Sequence, residues 1–273
     1  MGKLSIYAEN KWLDNVLKTA VFTPPADIYL SLHTADPTED GSGAECADAN
    51  NYSRTLISGA GVAFGTAAAA RVISNDALIT CPTASGSWGT VGWWGIWDSG
   101  TWGAGNLLAY GAFAVAKAVG SGQTPKVAIG EIDISVPTHT TYGMTTVCAN
   151  EMLDTTFLDG DAGYVPANVY LALATGASND AGSQTNESAG SNYARELINA
   201  EFDAAAASVT ANTAAILHSV VANGAWGTIS DYFIADAITV GNSLLYGTFN
   251  TPSAIIADDQ FNIPIGDLDI TMA

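Results

Sequence analysis

The chain has 273 residues, 28 of them glycine and only 13 % charged, well under the roughly 25 % of an average soluble domain. Low charge with abundant Gly, Ala, Ser and Thr favours short strands and tight turns and argues against a long helical bundle. The formal charge of −19 repels phosphate, so nucleic acid and anionic membranes are not expected partners.

In chain order, the first nine residues show no apolar core of a secretory signal. From Asn10 to Lys18, Trp12, Leu13, Val16 and Leu17 recur at helical spacing, and Pro24-Pro25 end any helix and lead into extended chain. Strand formers then cluster at Ile28–Leu32, Tyr52–Ile57, Val72–Thr80, Gly89–Trp97, Leu107–Phe113 and Val127–Ser135. The last alternates strictly as Ile-Glu-Ile-Asp-Ile, the pattern of a half-buried strand. The apolar stretch Leu107 to Gly120 is too short to cross a bilayer and carries Lys117. Cys46, Cys81 and Cys148 are odd in number and widely separated, which suggests no disulfide framework and fits folding in a reducing cytoplasm.

The second half repeats the first. Asn10, Leu13 and Asp14 match Asn150, Leu153 and Asp154; Pro25-Ala-Asp-Ile-Tyr-Leu-Ser-Leu32 matches Pro166-Ala-Asn-Val-Tyr-Leu-Ala-Leu173; Asn51-Tyr-Ser-Arg54 matches Asn192-Tyr-Ala-Arg195. Trp88-Gly-Thr-Val91 matches Trp226-Gly-Thr-Ile229, Leu108-Ala-Tyr-Gly-Ala-Phe113 matches Leu244-Leu-Tyr-Gly-Thr-Phe249, and Ile129-Gly-Glu-Ile-Asp-Ile-Ser135 matches Ile265-Gly-Asp-Leu-Asp-Ile-Thr271. The offset drifts from 140–141 to 138 and 136, with each slip in a Gly/Ser/Thr loop. A period this long makes each copy a complete domain and excludes a solenoid repeat. The expected organisation is mainly β: two tandem homologous β-sandwich domains, 1–136 and 145–273, each with a short N-terminal helix, joined by a Pro/Gly/Thr-rich linker at 137–144. A closed barrel is the competing architecture.

Charge is divided unevenly between the copies. Up to Ser135 there are seven Lys/Arg and twelve Asp/Glu; beyond it, one and fifteen. The single late cation, Arg195, repeats Arg54 in a Tyr-x-Arg motif (Tyr52/Arg54 and Tyr193/Arg195). A cation kept where others are gone points to a buried carboxylate fork. Glu45 and Glu187 are its expected partners, with Asp14 and Asp154 as alternatives. The loop Asp36–Glu45 invites a calcium reading but misses the EF-hand pattern, and its counterpart loses most of the carboxylates, so a solvated turn is expected. His33, His139 and His218 stand alone, without metal or triad spacing, and no nucleophile elbow or phosphate loop occurs. The reading is therefore non-enzymatic, with no cofactor and no metal. The aromatic run is different: Trp88 and Trp94 have counterparts in Trp226 and Tyr232, whereas Trp93 aligns with Asp231, Trp97 with Ala235, and Trp102 lies in a loop shortened in the second copy. Alternation puts Trp93 and Trp97 on one strand face. Trp93, Trp97 and Trp102 are thus candidate interface residues or sugar-stacking platforms of the first copy, with packing under a loop as the plain alternative.

A helical head, Pro-Ala-x-Ile/Val-Tyr-Leu-x-Leu, Tyr-x-Arg, a Trp-Gly-Thr strand and a Leu-x-Tyr-Gly strand resemble a family of small tailed-bacteriophage virion proteins labelled tail fibre or head decoration. The resemblance covers nearly the whole chain, twice, and implies no catalytic residues. It implies a virion structural protein assembled in the host cytoplasm, decorating or cementing the capsid exterior, or else a collar or tail-fibre component. Expected partners are other virion proteins (the major capsid protein or neck and tail proteins), further copies of the chain, and a host glycan if the tryptophans act as a lectin.

Overall fold

The computed structural model describes every residue except 19–20, 59–62, 139–140, 159–160, 162, 200, 219 and 273; His139 therefore lies outside the described residues. The chain is mainly β, with two similar five-stranded sheets and two short helices. The strands of the first copy are β1 (Lys3–Leu4), β2 (Tyr29–His33), β3 (Thr55–Leu56), β4 (Val72–Ser74), β5 (Ile79–Thr80), β6 (Gly89–Trp97), β7 (Leu107–Val119), β8 (Lys126–Val127) and β9 (Asp133–Ser135). Those of the second are β10 (Gly143–Met144), β11 (Tyr170–Ala174), β12 (Glu196–Leu197), β13 (Val209–Ala211), β14 (Ile216–Leu217), β15 (Gly227–Ala235), β16 (Ser243–Ile255), β17 (Asn262–Ile263) and β18 (Asp269–Thr271). The helices are α1 (Ile6–Leu17) and α2 (Thr146–Phe157).

The first sheet has the order β1-β7-β6-β2-β3 and the second β10-β16-β15-β11-β12, with every pairing antiparallel. Two-stranded ribbons, β4–β9 and β5–β8 in one copy, β13–β18 and β14–β17 in the other, complete each set. Buried side chains come from both layers: Leu30, Trp94, Ile96 and Leu108 from the first sheet, Ile73, Ile79, Val127 and Ile134 from its ribbons. In both long hairpins the ladder slips at the same place. Between Val91↔Lys117 and Trp93↔Ala112, β7 advances five residues while β6 advances two. Ile229↔Ser253 and Asp231↔Thr248 repeat the slip in β15–β16, a bulge that bends the long strand.

Compact units do not follow chain order. Unit 1 comprises Met1–Glu9, Thr23–Val136 and Asn150–Gly163; unit 2 comprises Asn10–Phe22, Pro137–Ala149 and Tyr164–Ala273. Each unit thus contains the later turns of the helix that begins in the other copy. The repeated Asn-x-x-Leu-Asp motif explains what those turns do. In unit 1, Asn150 Oδ1 accepts the Arg71 N–H at 2.8 Å and Asp154 Oδ1 accepts that of Ala68. In unit 2, Asn10 Oδ1 accepts the Ser208 N–H at 2.7 Å and Asp14 Oδ1 that of Ala205 at 2.8 Å. Arg71 and Ser208 sit at φ 68° and 63°, so a side-chain acceptor fixes each left-handed turn. Asp14 and Asp154 are consequently not partners of the Tyr-x-Arg arginines.

Several boundaries differ from the sequence expectation for identifiable reasons. Helix α1 starts at Ile6, ahead of Asn10, because Ser5 caps it: Ser5 Oγ accepts the Ala8 N–H at 3.2 Å. Thr145 does the same for α2 through the Cys148 N–H at 3.3 Å. Val72–Thr80 and Val127–Ser135 each split in two, and Asn75, only 1 % exposed, is the cause. Its Nδ2 donates to the carbonyls of Ala77 and Ala128, both at 2.9 Å, and its Oδ1 accepts the Ile132 N–H at 2.8 Å. Those bonds hold a turn at Gly130 (φ 72°), which leaves Ile129 64 % exposed in spite of its place in an alternating run. Asn212 repeats the arrangement with Ala214, Pro264 and Leu268. Tyr52–Ile57 forms only the two-residue β3, whereas Leu107–Phe113 runs on to Val119. Gly143–Met144, inside the segment read as linker, forms β10 and pairs with β16.

Candidate functional site: arginine-anchored hairpin loops

In unit 1 a chain of contacts runs from the Trp-Gly-Thr strand to the tip of the β6–β7 hairpin. The Trp88 indole donates to Asn50 O at 3.0 Å and meets the Tyr52 ring edge-on, centroids 5.2 Å apart. Gly89 follows at φ 92°, a left-handed conformation that explains why glycine follows the tryptophan in both copies. The Tyr52 hydroxyl accepts the Leu32 N–H at 3.0 Å and donates to Glu45 Oε1 at 2.9 Å. Burial first, then the Glu45 charge, pushes its phenol well above the ordinary tyrosine range. Glu45 faces Arg54 as a fork: Nε to Oε1 at 2.9 Å and Nη2 to Oε2 at 2.8 Å, with side-chain exposures of 0 % for Arg54 and 9 % for Glu45. The remaining arm, Nη1, donates to Ser99 O at 2.8 Å and Ala104 O at 2.7 Å. Four directed bonds therefore fix the hairpin loop to the body of the unit.

Unit 2 repeats the arrangement. Trp226 donates to Ser191 O at 3.0 Å and packs edge-on to Tyr193 at 5.4 Å. Tyr193 Oη donates to Glu187 Oε1 at 3.3 Å, and Arg195 forks Glu187 at 2.8 Å on both oxygens. Arg195 Nη1 then donates to Ala237 O and Val240 O, both at 2.7 Å. Each loop is also closed at its neck by an Asp–Asn pair. Asp98 Oδ1 and Oδ2 accept the backbone and side-chain N–H groups of Asn106 at 2.6 and 2.7 Å, and Asp236 receives Asn242 at 2.7 and 2.8 Å. Sequence reasoning missed this neck; its signal was an aspartate after β6 and β15 and an asparagine just before the Leu-x-Tyr-Gly strand in both copies.

The frame is shared, but what it presents is not. In unit 1 the tip carries Trp102, 46 % exposed, its indole N–H fixed to Cys46 O at 2.9 Å. In unit 2 the shorter tip presents Ile238 at 55 % and Val240 at 79 % exposure. Val240 is held at φ 57°, a conformation β-branched residues avoid, while its carbonyl is taken by Arg195.

Of the three tryptophans singled out, the structure leaves one open. Trp97 is 7 % exposed, lies under the Arg54 guanidinium at 4.0 Å from its centroid, and donates from Nε1 to Ser31 Oγ at 2.8 Å. It is the floor of the arginine site and offers no free face. Trp93 is half-buried and pairs with His33 across β2–β6. The acidic loop is a hydrogen-bonded turn: Thr38 donates its N–H to Asp36 and its hydroxyl to Asp40 at 2.6 Å, and Ser42 N–H reaches Asp40 at 3.0 Å. Those bonds hold the Asp40 carboxyl down at about 2. Among the described residues no three His, Cys, Asp or Glu side chains cluster as metal ligands. His33 is fully buried against Ser31 Oγ at 2.7 Å, and burial lowers its pKa to about 4. His218 stacks on Tyr193 at 5.7 Å and is lowered by burial too.

A family model described as Podophage GP4 fiber I protein gp80 matches the chain twice, over residues 3–135 and 143–271. No curated protein matches the chain.

Proposed function

We propose a role that starts from one fact: the chain belongs to the Podophage GP4 fiber I protein gp80 family, along nearly its whole length and in two segments. It is accordingly a virion structural protein of a tailed phage. Within the particle, our reading is a fibre component whose two units hold rigid hairpin tips outward. The observation that carries this is the repeated Trp–Tyr–Glu–Arg frame, which anchors each tip by arginine bonds to two loop carbonyls. A loop fixed that firmly presents side chains in one geometry, and interface cores favour such preorganised anchors.

Cryo-EM of the intact particle with the chain located by an epitope tag tests the position. Density in the fibres supports the reading. Density distributed over the shell assigns it instead to decorating or cementing the capsid exterior, and density at the neck to the collar.

Trp102 favours a second reading, a sugar-stacking platform toward a host glycan, because its ring is half exposed and its orientation is fixed through the indole N–H. Glycan-array binding that disappears in Trp102→Ala, with particle assembly unchanged, supports it; an array without hits removes it.

A further inference from the structure

The other end of each long hairpin carries a surface separate from the arginine-anchored tips. In unit 1 it consists of Ala112–Val119 of β7 and the turn leading to Lys126. Strand β1 pairs β7 only at Ala109 and Tyr110, so the outer edge from Ala112 onward has no strand partner among the described residues. Its exposed side chains are small and apolar: Ala112, Ala114, Ala116 and Ala118 with Val115 at 65 % exposure. Lys117 of the same strand and Lys126 after the turn are exposed as well, and neither forms an ion pair among the described residues. Between Asp98 and Glu131 the sequence contains no carboxylate, the longest such run in a chain of formal charge −19. The strand and turn at this end of unit 1 therefore carry two lysines and no carboxylate.

Unit 2 has the same end with the opposite character. The ladder registers place Thr248–Ile255 of β16 where unit 1 has Ala112–Val119, with an equally open edge. Asn250, Thr251, Pro252 and Ser253 replace Ala114, Val115, Ala116 and Lys117, and proline removes a backbone donor from the edge. The following turn carries Asp258 and Asp259 where unit 1 has Gly122 and Gln123; the positive φ of Gly122 (79°) and Asp258 (70°) confirms the correspondence. Ile256 beside them is 62 % exposed.

From this inversion we infer that the hairpin end of unit 1 docks on the equivalent end of unit 2 in a second copy of the chain. Lys117 and Lys126 face Asp258 and Asp259, and Val115 covers Ile256. Like-with-like pairing is disfavoured on both sides, because it sets lysine against lysine in one case and aspartate against aspartate in the other. A unit 1 to unit 2 contact is heterologous: it either closes into a ring, of which two reciprocally docked copies are the smallest, or leaves one free end of each kind and continues. The bulge interrupts the β7 edge, so charge and side-chain contact carry the interaction more than a long strand ladder does. It is therefore salt-sensitive. None of this depends on where the protein sits in the particle.

Sedimentation velocity of the full chain over a range of concentration and salt tests the inference. At low salt we expect concentration-dependent association, lost at high salt. Lys117→Glu with Lys126→Glu should leave single chains only, and so should Ala257→Lys with Asp258→Asn. Mixing the two variants should restore association, because each then carries the complement of the other. All four positions are exposed, so an unchanged circular dichroism spectrum establishes folding. The inference is overturned if the wild-type chain stays single at low salt, or if the lysine variant still associates.

Discussion

Replacing Arg54 by methionine removes the guanidinium, whose central carbon lies 4.0 Å from the Trp97 ring centroid, while keeping an unbranched side chain. The carboxylate left behind, Glu45, is 9 % exposed and loses both fork bonds, and the carbonyls of Ser99 and Ala104 lose their donor. Breaking one side of a buried pair costs about 3–5 kcal/mol, because the surviving charge stays out of water. That is a large part of the roughly 5–15 kcal/mol that holds a domain together. Replacing Glu45 by methionine as well removes the stranded charge, so the double variant should recover a large part of the loss. In unit 2, Glu187 is 21 % exposed, so water reaches it and Arg195→Met should cost less than Arg54→Met. Urea denaturation followed by fluorescence gives the four midpoints of the cycle, and hydrogen exchange at the Ser99–Ala104 amides reports release of the loop. A loss below about 1 kcal/mol for Arg54→Met, the range of a solvated surface pair, would refute the reasoning. So would a double variant as unstable as the single one.

Three further outcomes follow from the same geometry. Gly111→Ala places a Cβ 2.6 Å from the Trp94 ring and 2.9 Å from the Gly2 backbone, so thermal unfolding should show a loss of about 1–3 kcal/mol; an unchanged Tm would refute the packing. Val240→Asn suits φ 57° and gives up little packing at 79 % exposure, so it should stabilise by about 1 kcal/mol, read as a raised urea midpoint; a lowered one would show that the valine side chain is itself a structural contact. Burial holds His33 at about 4, against about 6.5 unfolded. Between those values the unfolded chain binds a proton that the folded chain does not, so stability falls as pH drops from about 6.5 toward 4. For His33 the loss approaches about 3 kcal/mol, and a midpoint that rises over this window contradicts the buried neutral imidazole.

Much of the architecture was legible because the repeat compares the chain with itself. Positions that survive in both copies, such as Trp88/Trp226, Tyr52/Tyr193 and Arg54/Arg195, form one contact chain in each unit. Periodicity failed where a side chain overrides it. Ile129-Gly-Glu-Ile-Asp-Ile reads as one strand, yet Asn75, distant in sequence, draws the chain into a turn at Gly130. Alternation also puts Trp97 on one strand face with Trp93, but alternation does not say whether such a face is roofed by a long polar residue. Arg54 is that roof. The reciprocal placement of the helix turns was not legible either, because Asn10, Asp14, Asn150 and Asp154 look the same whichever copy supplies their backbone partners.

The distribution of cations between the copies separates two kinds of residue. The second copy contains no lysine and a single arginine, and that arginine is the one that forks the half-buried Glu187. Surface lysines such as Lys117 are worth little to stability, so their replacement by serine in the equivalent position is nearly free for the fold. What such exchanges change is the sign of the surface. The same frame thus came to carry a cationic end in one unit and an anionic end in the other, with an indole at one tip and aliphatic side chains at the opposite unit's tip. Two identical copies would carry the same charge at this end, so pairing end on end would set like against like. Once the ends differ in sign, one polypeptide carries both complements of the contact inferred above.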